Sequence, residues 1–139
     1  MLVDFTVPGE PVAKGRARAF IKRGKIAHYT PDKTVHYEDL VRMFASRAMG
    51  SMPLMTQAVW LTVDAYFPIP RSWPKQKQQD AELMKMRHLK RPDLDNCVKA
   101  VEDALNGVVW VDDSQVIQIR ASKHYSRTPC VHIRAEQVL

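Results

Sequence analysis

The sequence predicts a single α+β domain over residues 1–139, in which helices flank a mixed β-sheet. Three observations lead to this fold class. Alternating apolar residues mark strands near both ends of the chain and in its middle, two stretches carry apolar residues at helical spacing, and no linker or composition shift divides the chain. A hydrophobic fraction of 45% and a charged fraction of 26% are typical of a folded globular protein and exclude a disordered tail.

The first half of the chain is expected to form strands around one helix. Alternation predicts a half-buried strand over 2–7 and a core strand over 59–67, and a glycine-containing turn predicts a short hairpin over 19–28. Thr30 and the proline after it supply a helix start. Apolar residues at helical spacing then extend this helix for about five turns.

The second half contains a long polar loop, one helix and two strands. Residues 71–91 are rich in Lys, Arg and Gln, and we expect an exposed loop with a short helix over 81–86. Apolar residues that step by four and three predict an amphipathic helix that begins near Asp93 to Asp95 and is closed by Gly107. The last alternating runs, 117–121 and 131–135, predict a closing antiparallel hairpin.

Composition also narrows the class of protein. Lys and Arg number 21 against 15 Asp and Glu, a formal net charge of +6, which favours a polyanionic partner. No apolar run approaches membrane-spanning length and the chain opens on a strand pattern, so we expect no membrane anchor and no signal peptide. Five scattered glycines exclude a phosphate-binding P-loop and, with it, a nucleotide cofactor.

Cysteine, tryptophan and histidine are assigned to structure rather than to chemistry. Cys97 and Cys130 have no partner at zinc or redox spacing, which fits a reducing, cytoplasmic setting. Trp60, Trp73 and Trp110 are expected to be packing anchors. The five histidines share no ligand spacing and are interpreted as structural or surface residues: His28, His36, His88, His124 and His132.

Acidic residues cluster at the start of the second helix. Asp93 and Asp95 flank Leu94, which we expect to point into the core, so that both carboxylates lie together where the helix begins. Lys99 follows Asp95 by four residues and therefore shares its helix face. This spacing predicts two carboxylates and one ammonium on the same side of the helix.

A second acidic pair, Asp112–Asp113, lies in the turn after this helix. Taken alone, each aspartate is better explained as a helix cap or a turn residue than as a ligand. Taken together, three or four hard oxygen ligands and one ammonium form the set of a Mg²⁺ site acting on a phosphate, with Mn²⁺ as a substitute. Such a metal polarises the phosphoryl oxygen and activates water, while Lys99 neutralises developing charge. Repulsion among the carboxylates would keep the site loose until the ion binds.

The positive charge is concentrated in two windows, 14–25 and 71–91, which hold thirteen of the 21 basic residues. A single run of this kind usually marks a solvated face. Two windows, the second running directly into the acidic cluster, suit a DNA backbone guided onto a metal site. The predicted DNA-binding residues are Lys14, Arg16, Arg18, Lys22, Arg23, Arg71, Lys75, Lys77, Lys90 and Arg91.

The stretch 91–116, RPDLDNCVKAVEDALNGVVWVDDSQV, resembles the RusA-type Holliday junction resolvases, many of them carried by phages. A D-x-D-N helix start, a lysine one turn later, a D-A-L helix end and a W-x-D-D-S-Q-V turn together form a specific signature. The rest of the chain agrees more loosely, with a strand ending in proline, a basic hairpin, a helix and a core strand.

The resemblance implies a homodimeric, Mg²⁺-dependent endonuclease that cuts branched DNA, above all four-way junctions, in recombination and repair. It implies metal-binding catalytic aspartates at Asp93, Asp95 and Asp113, and a catalytic lysine at Lys99. Asp112 matches a further acidic position beside the site. A two-fold dimer suits a junction that needs two symmetric cuts.

Two alternatives stay open on the sequence. One is a nuclease of the same type that acts on other branched DNA, such as flaps or forks. The other is a non-catalytic basic DNA-binding protein, in which the aspartates only cap a helix and a turn. The second is disfavoured because capping requires neither a lysine on the same helix face nor a paired-acid turn.

Overall fold

A computed structural model describes residues 1–15, 18–29 and 32–139, the segments 18–22 and 26–29 by their backbone alone. The predicted helix start at Thr30 lies outside the described residues. In the described part of the chain, the elements are β1 (Leu2–Pro8), β2 (Arg18–Lys22), β3 (Lys25–Tyr29), α1 (Asp32–Met49), β4 (Val59–Pro68), α2 (Lys75–Glu82), α3 (Leu94–Leu105), a 3₁₀ turn (Asp113–Gln115), β5 (Val116–Ser126) and β6 (Cys130–Gln137).

The strands form a mixed four-stranded sheet in the order β1-β6-β4-β5. Strand β6 pairs antiparallel with both of its neighbours, whereas β4 and β5 pair parallel. Strands β2 and β3 form a separate hairpin, as predicted. The predicted fold class, an α+β domain with a mixed sheet and flanking helices, is therefore confirmed.

The predicted closing hairpin of 117–121 with 131–135 is wrong, because β4 lies between β5 and β6. Five alternate residues of β4, from Val59 to Phe67, are buried, and such a central strand has its backbone groups paired on both edges. The connection at 127–129 passes the end of β4 instead of joining paired strands. Alternation reveals which face of a strand is buried and leaves its partners open.

Helices α1 and α3 pack on one face of the sheet, and the core lies between the two layers. Alternate residues of β1, β4 and β6 are buried there, and α1 contacts both β1 and α3. The other face, which we call the outer face, carries half-buried or exposed residues, and no helix among the described residues packs on it. No described helix is long and apolar enough to cross a membrane.

The loop 71–91 contains its helix earlier than predicted, at α2 rather than at 81–86. The side chain of Gln78 donates to the carbonyl of Trp73, 2.7 Å away, and Ala81 packs with Ile69 and Tyr125 in a small second core. These contacts hold the segment after Trp73 in the helix. Helix α2 ends at Glu82, and Met84, with φ of +63°, makes a left-handed turn just after it.

The three tryptophans do not share one role. Trp110 is fully buried and donates through Nε1 to Oδ1 of Asn106 at 2.7 Å, as expected of a packing anchor. Trp73 is half-buried against the second core. Trp60 is 43% exposed, because it lies in the outward phase of β4, so the packing assignment of Trp60 is wrong.

His88 is buried where the loop returns to the sheet. Its ring stacks on Phe67 with centroids 4.1 Å apart and meets Tyr125 edge-on at 5.0 Å. Burial lowers the pKa of His88 from its ordinary value of 6.5, and the positive charges of Lys123 and Lys90 lower it further. The folded protein therefore holds this ring neutral.

This lowered pKa predicts a loss of stability in acid. Since the unfolded chain takes up the proton first as the pH falls below about 6.5, the stability that neutral His88 provides declines there. We expect His88→Phe, which keeps the stacking and cannot titrate, to lose less stability than the wild type between about pH 7.5 and about pH 5. Urea unfolding of both proteins measures this difference, and equal losses would contradict the assignment.

Candidate active site

The start of α3 carries two exposed carboxylates that are not used as caps. Asp93 is the N-cap residue by position, yet its side chain makes no capping hydrogen bond. It lines a cleft of about 700 Å³ together with Arg91, Asn96 and Lys14. The helix start therefore leaves the Asp93 carboxylate available for a ligand.

Asp95 lies on a different groove from Asp93. Its groove, of about 500 Å³, lies between α3 and β5 and is also lined by Leu94, Glu102 and Ile119. The expectation that Leu94 points into the core is wrong, because β5 is the edge strand and little covers the first turn of α3. Leu94 is half-buried in the groove wall, between the two aspartates in sequence.

Lys99 lies at the centre of a chain of charged groups. Its Nζ is 3.0 Å from Oδ1 of Asp103 and 3.6 Å from Oδ2 of Asp113. The other oxygen of Asp103 is 3.1 Å from Nζ of Lys14, which is also 2.7 Å from Oε1 of Glu38. Asp103 thus joins two ammonium groups and links the segment after β1 to α3, and through Lys99 to the 3₁₀ turn.

The ion pairs of Asp103 position more than they stabilise. Lys14 and Asp103 are 24% and 21% exposed at the side chain and Lys99 is 53% exposed, so each pair contributes about 0.2–1 kcal/mol. The hydrogen bond with Asp103 raises the pKa of Lys99, burial opposes this rise, and the charges of Asp103 and Asp113 raise the pKa further. Lys99 is therefore an ammonium at neutral pH, suited to donate to a phosphate and not to act as a base.

Glu102 is an acidic residue of this groove that the sequence analysis missed. It is half-buried, and burial raises the pKa of its carboxyl group, as does the negative charge of Asp113. Glu102 follows Asp95 by seven residues and Lys99 by three, so the helical period already placed all three side chains on one face. The charges of Asp113 and Glu102 both act on Lys99, and Asp95 lies on the same helix face.

This donor set fits a divalent cation in its chemistry, because hard carboxylate oxygens with too little neutralising charge favour Mg²⁺ or Mn²⁺. In the described part of the chain, however, no three acidic, histidine or cysteine side chains are gathered closely enough to hold one ion. The sequence predicted a site that stays loose until the ion binds. The structure has the carboxylates on neighbouring grooves and leaves that prediction open.

Asp112 has a structural part in the turn. Its side chain accepts from the backbone N–H of Ser114 at 3.1 Å, and the Gln115 side chain accepts from the backbone N–H of Asp112 at 3.0 Å. Hydrogen bonding with the side chain of Ser114, and then with its backbone N–H, lowers the pKa of the exposed Asp112 carboxyl group. For each aspartate taken alone, the sequence favoured a capping role. The structure shows that role at Asp112, whose side chain fixes the turn that carries Asp113.

The basic residues of the second window that carry the DNA-binding prediction lie at the surface, and two of them are close to the cleft of Asp93. Arg91 lines the same cleft as Asp93, and Lys90 borders a smaller cleft beside it. The ammonium groups of Lys77 and Lys90 lie 4.1 and 5.6 Å from the ring centre of Trp73. Exposed positions are also occupied by Arg71 and Lys75.

The first window is only partly described. Lys14 has two carboxylate partners on the protein, Glu38 and Asp103, and Arg23 is exposed at the hairpin turn with φ of +52°. Arg16 lies outside the described residues, as do the side chains of Arg18 and Lys22. The contact of this window with DNA stays a prediction.

Comparison with known proteins identifies the class of enzyme to which this fold and site belong. The family described as Endodeoxyribonuclease RusA matches residues 8–136 of the 139-residue chain, a range that includes every candidate site residue. The chain belongs to the RusA family and is an endodeoxyribonuclease, a hydrolase that acts on DNA. It is also similar to the uncharacterized protein YqaN of Bacillus subtilis (strain 168), at 39% identity over 138 residues, which are 98% of this chain and 96% of that protein.

The chain of ion pairs predicts a positioning role for Asp103. We expect Asp103→Asn to lower the DNA cleavage rate by about 10²-fold, because Lys99 loses the carboxylate that fixes its ammonium near the site. The affinity for DNA should change little, so the loss falls on kcat and not on KM. Single-turnover kinetics at saturating DNA measure it.

Two further variants make this test specific. Asp39→Asn removes the same charge from an exposed pair with Arg42 on α1 and should leave cleavage unchanged. Asp103→Glu restores the carboxylate and should recover part of the rate. Wild-type kinetics in Asp103→Asn, or no recovery with glutamate at that position, would contradict the positioning role.

Proposed function

We propose that this chain is a Mg²⁺-dependent, structure-selective endodeoxyribonuclease that resolves Holliday junctions by paired phosphodiester hydrolysis in DNA recombination and repair. The observation that carries the proposal is the protonated Lys99, held by Asp103 beside Asp113 and next to the acidic groove of α3. Membership of the RusA family supplies the reaction class. A cytoplasmic location is part of the proposal, because Cys97 and Cys130 are both free thiols.

In this proposal the carboxylates of Asp93, Asp95 and Asp113 hold the Mg²⁺, for which Mn²⁺ substitutes. When bound, the ion polarises a phosphoryl oxygen and makes water a better nucleophile. Lys99 donates a charged hydrogen bond to a non-bridging oxygen of the scissile phosphate, and its charge offsets the negative charge that builds up there. Asp112 keeps the turn of Asp113 in shape.

The basic surface that continues from this site gives DNA its path. Arg91 shares a cleft with Asp93, and Lys90, Lys77 and Lys75 extend the positive charge away from it. Contacts of this kind bind phosphates without reading sequence, so they suit a nuclease that selects DNA by shape.

The metal site is tested by removing one charge at a time. We expect Asp95→Asn and Asp113→Asn to abolish cleavage in Mg²⁺, and to bind junction DNA as tightly as the wild type or more tightly, because each removes a ligand and a charge that repels phosphate. Cleavage of labelled junctions and gel-shift affinities in EDTA measure the two effects.

A matched control lies next to one of these positions. Asp112→Asn makes the same change at the neighbouring residue, and since asparagine also caps a turn, cleavage should persist. If the Asp95→Asn protein still cuts DNA in Mg²⁺, the assignment of Asp95 as a metal ligand is contradicted. If only Asp112→Asn abolishes cleavage, the metal ligand is Asp112 instead.

We also propose that the active form is a homodimer, because two symmetric cuts need two sites related by the junction's own symmetry.

Mixed dimers test pairing and substrate together. We expect the wild type to give fully resolved products from four-way junctions, and a mixture with excess Asp95→Asn chain to accumulate singly nicked junctions. Light scattering should give twice the mass of one chain. A monomeric mass, or resolved products alone from the mixture, would contradict the dimer. If flaps or forks are cut faster than four-way junctions, those branched DNAs are the preferred substrates and the assignment as a junction resolvase is contradicted.

A further inference from the structure

The outer face of the sheet, which points away from α3, carries a groove lined by side chains of three strands. The groove has a volume of about 220 Å³ and follows strands β6, β4 and β5 across the sheet. The residues that line it, here called the outer groove, are Trp60, Thr62, Gln118, Arg120, Arg134 and Glu136. None of them belongs to the active site described above.

Two arginines flank a threonine in the middle of the outer groove. In the strand register, Thr62 lies opposite Arg134 on one side and Arg120 on the other. Since neighbouring strands are about 4.8 Å apart, the two arginine backbones are about 10 Å from each other, and one phosphate can receive both guanidinium groups. The hydroxyl of Thr62 lies between them as a third donor.

Neither arginine forms an ion pair within the described residues, and the groove holds their two guanidinium charges against the one carboxylate of Glu136. Asp4 lies opposite Arg134 in the register, but Oδ1 of Asp4 is 2.6 Å from Nε2 of His132. The next carboxylate of the outer face, Asp64, accepts from the hydroxyl of Ser122. The polar row beside the groove is thus internally satisfied, and the arginines keep their positive charge for a ligand.

Trp60 adds an aromatic platform to this anion site. It lies one outward position before Thr62 on β4 and is 43% exposed, an unusual state for the largest apolar side chain. Its cross-strand neighbours are Glu136 and Gln118, which offer an acceptor and an amide at the edge of the ring. An aromatic face with a nearby cation pair is the pattern that binds unpaired nucleotides, with the base stacked and its phosphate held by arginine.

The groove is also well placed for a strand that leaves the active site. The turn that carries Asp113 leads directly into β5, and β5 is the free edge between the two faces of the sheet. Val116, the first residue of β5, pairs with Val59, the residue before Trp60. A DNA strand passing around this edge needs to cross only the thickness of one sheet layer to reach the outer groove.

We propose that the outer groove is a second DNA site, which binds unpaired nucleotides by stacking a base on Trp60 and holding a phosphate between Arg120 and Arg134. The proposal rests on the proposed function, since it gives one branch of the DNA substrate a place outside the cleavage site. Glu136, which lines the same groove, accepts from a donor on the edge of the stacked base, such as the N3–H of thymine.

Tryptophan fluorescence reports this binding directly. In a Trp73→Phe background, Trp60 is the exposed indole, because Trp110 is fully buried. We expect an oligothymidylate of about 15 nucleotides to quench the fluorescence in EDTA at low salt. Arg120→Ala combined with Arg134→Ala should raise the Kd at least about 10-fold and lower the salt slope of the affinity by about 0.7, the value for one phosphate contact on a single strand.

A matched control removes two cations from the other side of the protein. Lys33→Ala combined with Arg47→Ala changes exposed residues of α1 by the same charge and should leave the Kd within about 2-fold. Equal weakening by both double variants, or no quenching, would overturn the outer groove as a DNA site. Quenching that follows protein concentration without DNA would overturn it in favour of a second copy of the chain.

The readout also separates this inference from the proposed function. Binding is measured in EDTA, where no cleavage takes place. A protein that quenches as expected but leaves junctions intact in Mg²⁺ contradicts the proposed nuclease function alone. A protein that cuts junctions but shows no quenching contradicts the second DNA site alone.

Discussion

The shared carboxylate of Asp103 is the contact on which the arrangement of the site depends. Lys14, from the segment after β1, and Lys99, from α3, each bind one of its oxygens. The free energy of these pairs is small because the groups are partly exposed. Their effect is geometric: they connect two parts of the chain 89 positions apart, and they hold the ammonium of Lys99 where the turn brings Asp113.

Around this contact the site has more negative charge than it can neutralise. Asp95 and Glu102 lie on one groove, Asp113 adds its charge to Glu102, and burial together with that charge raises the pKa of Glu102. Repulsion among these carboxylates lowers the free energy of unfolding, and this is a general reason why functional sites are less stable than the rest of a fold.

Local patterns predicted the elements well, and their partners less well. Helix α3 was placed within a residue because its apolar stripe repeats along one segment, whereas the pairing of β5 with β4 depends on residues far apart in sequence. The outward position of Trp60 was readable, since the buried residues on either side of it already fixed the phase of β4. Only one contact of Asp103 could be predicted from the sequence. Its spacing from Lys99 is that of a helical ion pair, but nothing in the sequence indicates its pair with Lys14.

The placement of β6 between β1 and β4 has a consequence for how the enzyme is made. Asp4 and His132, which lie on the paired strands β1 and β6, are 128 positions apart. The sheet therefore stays split on the ribosome until β6 has left the exit tunnel, and long-range closure of this kind is slow. A nascent chain has no finished scaffold for its aspartates until β6 has paired with β1 and β4.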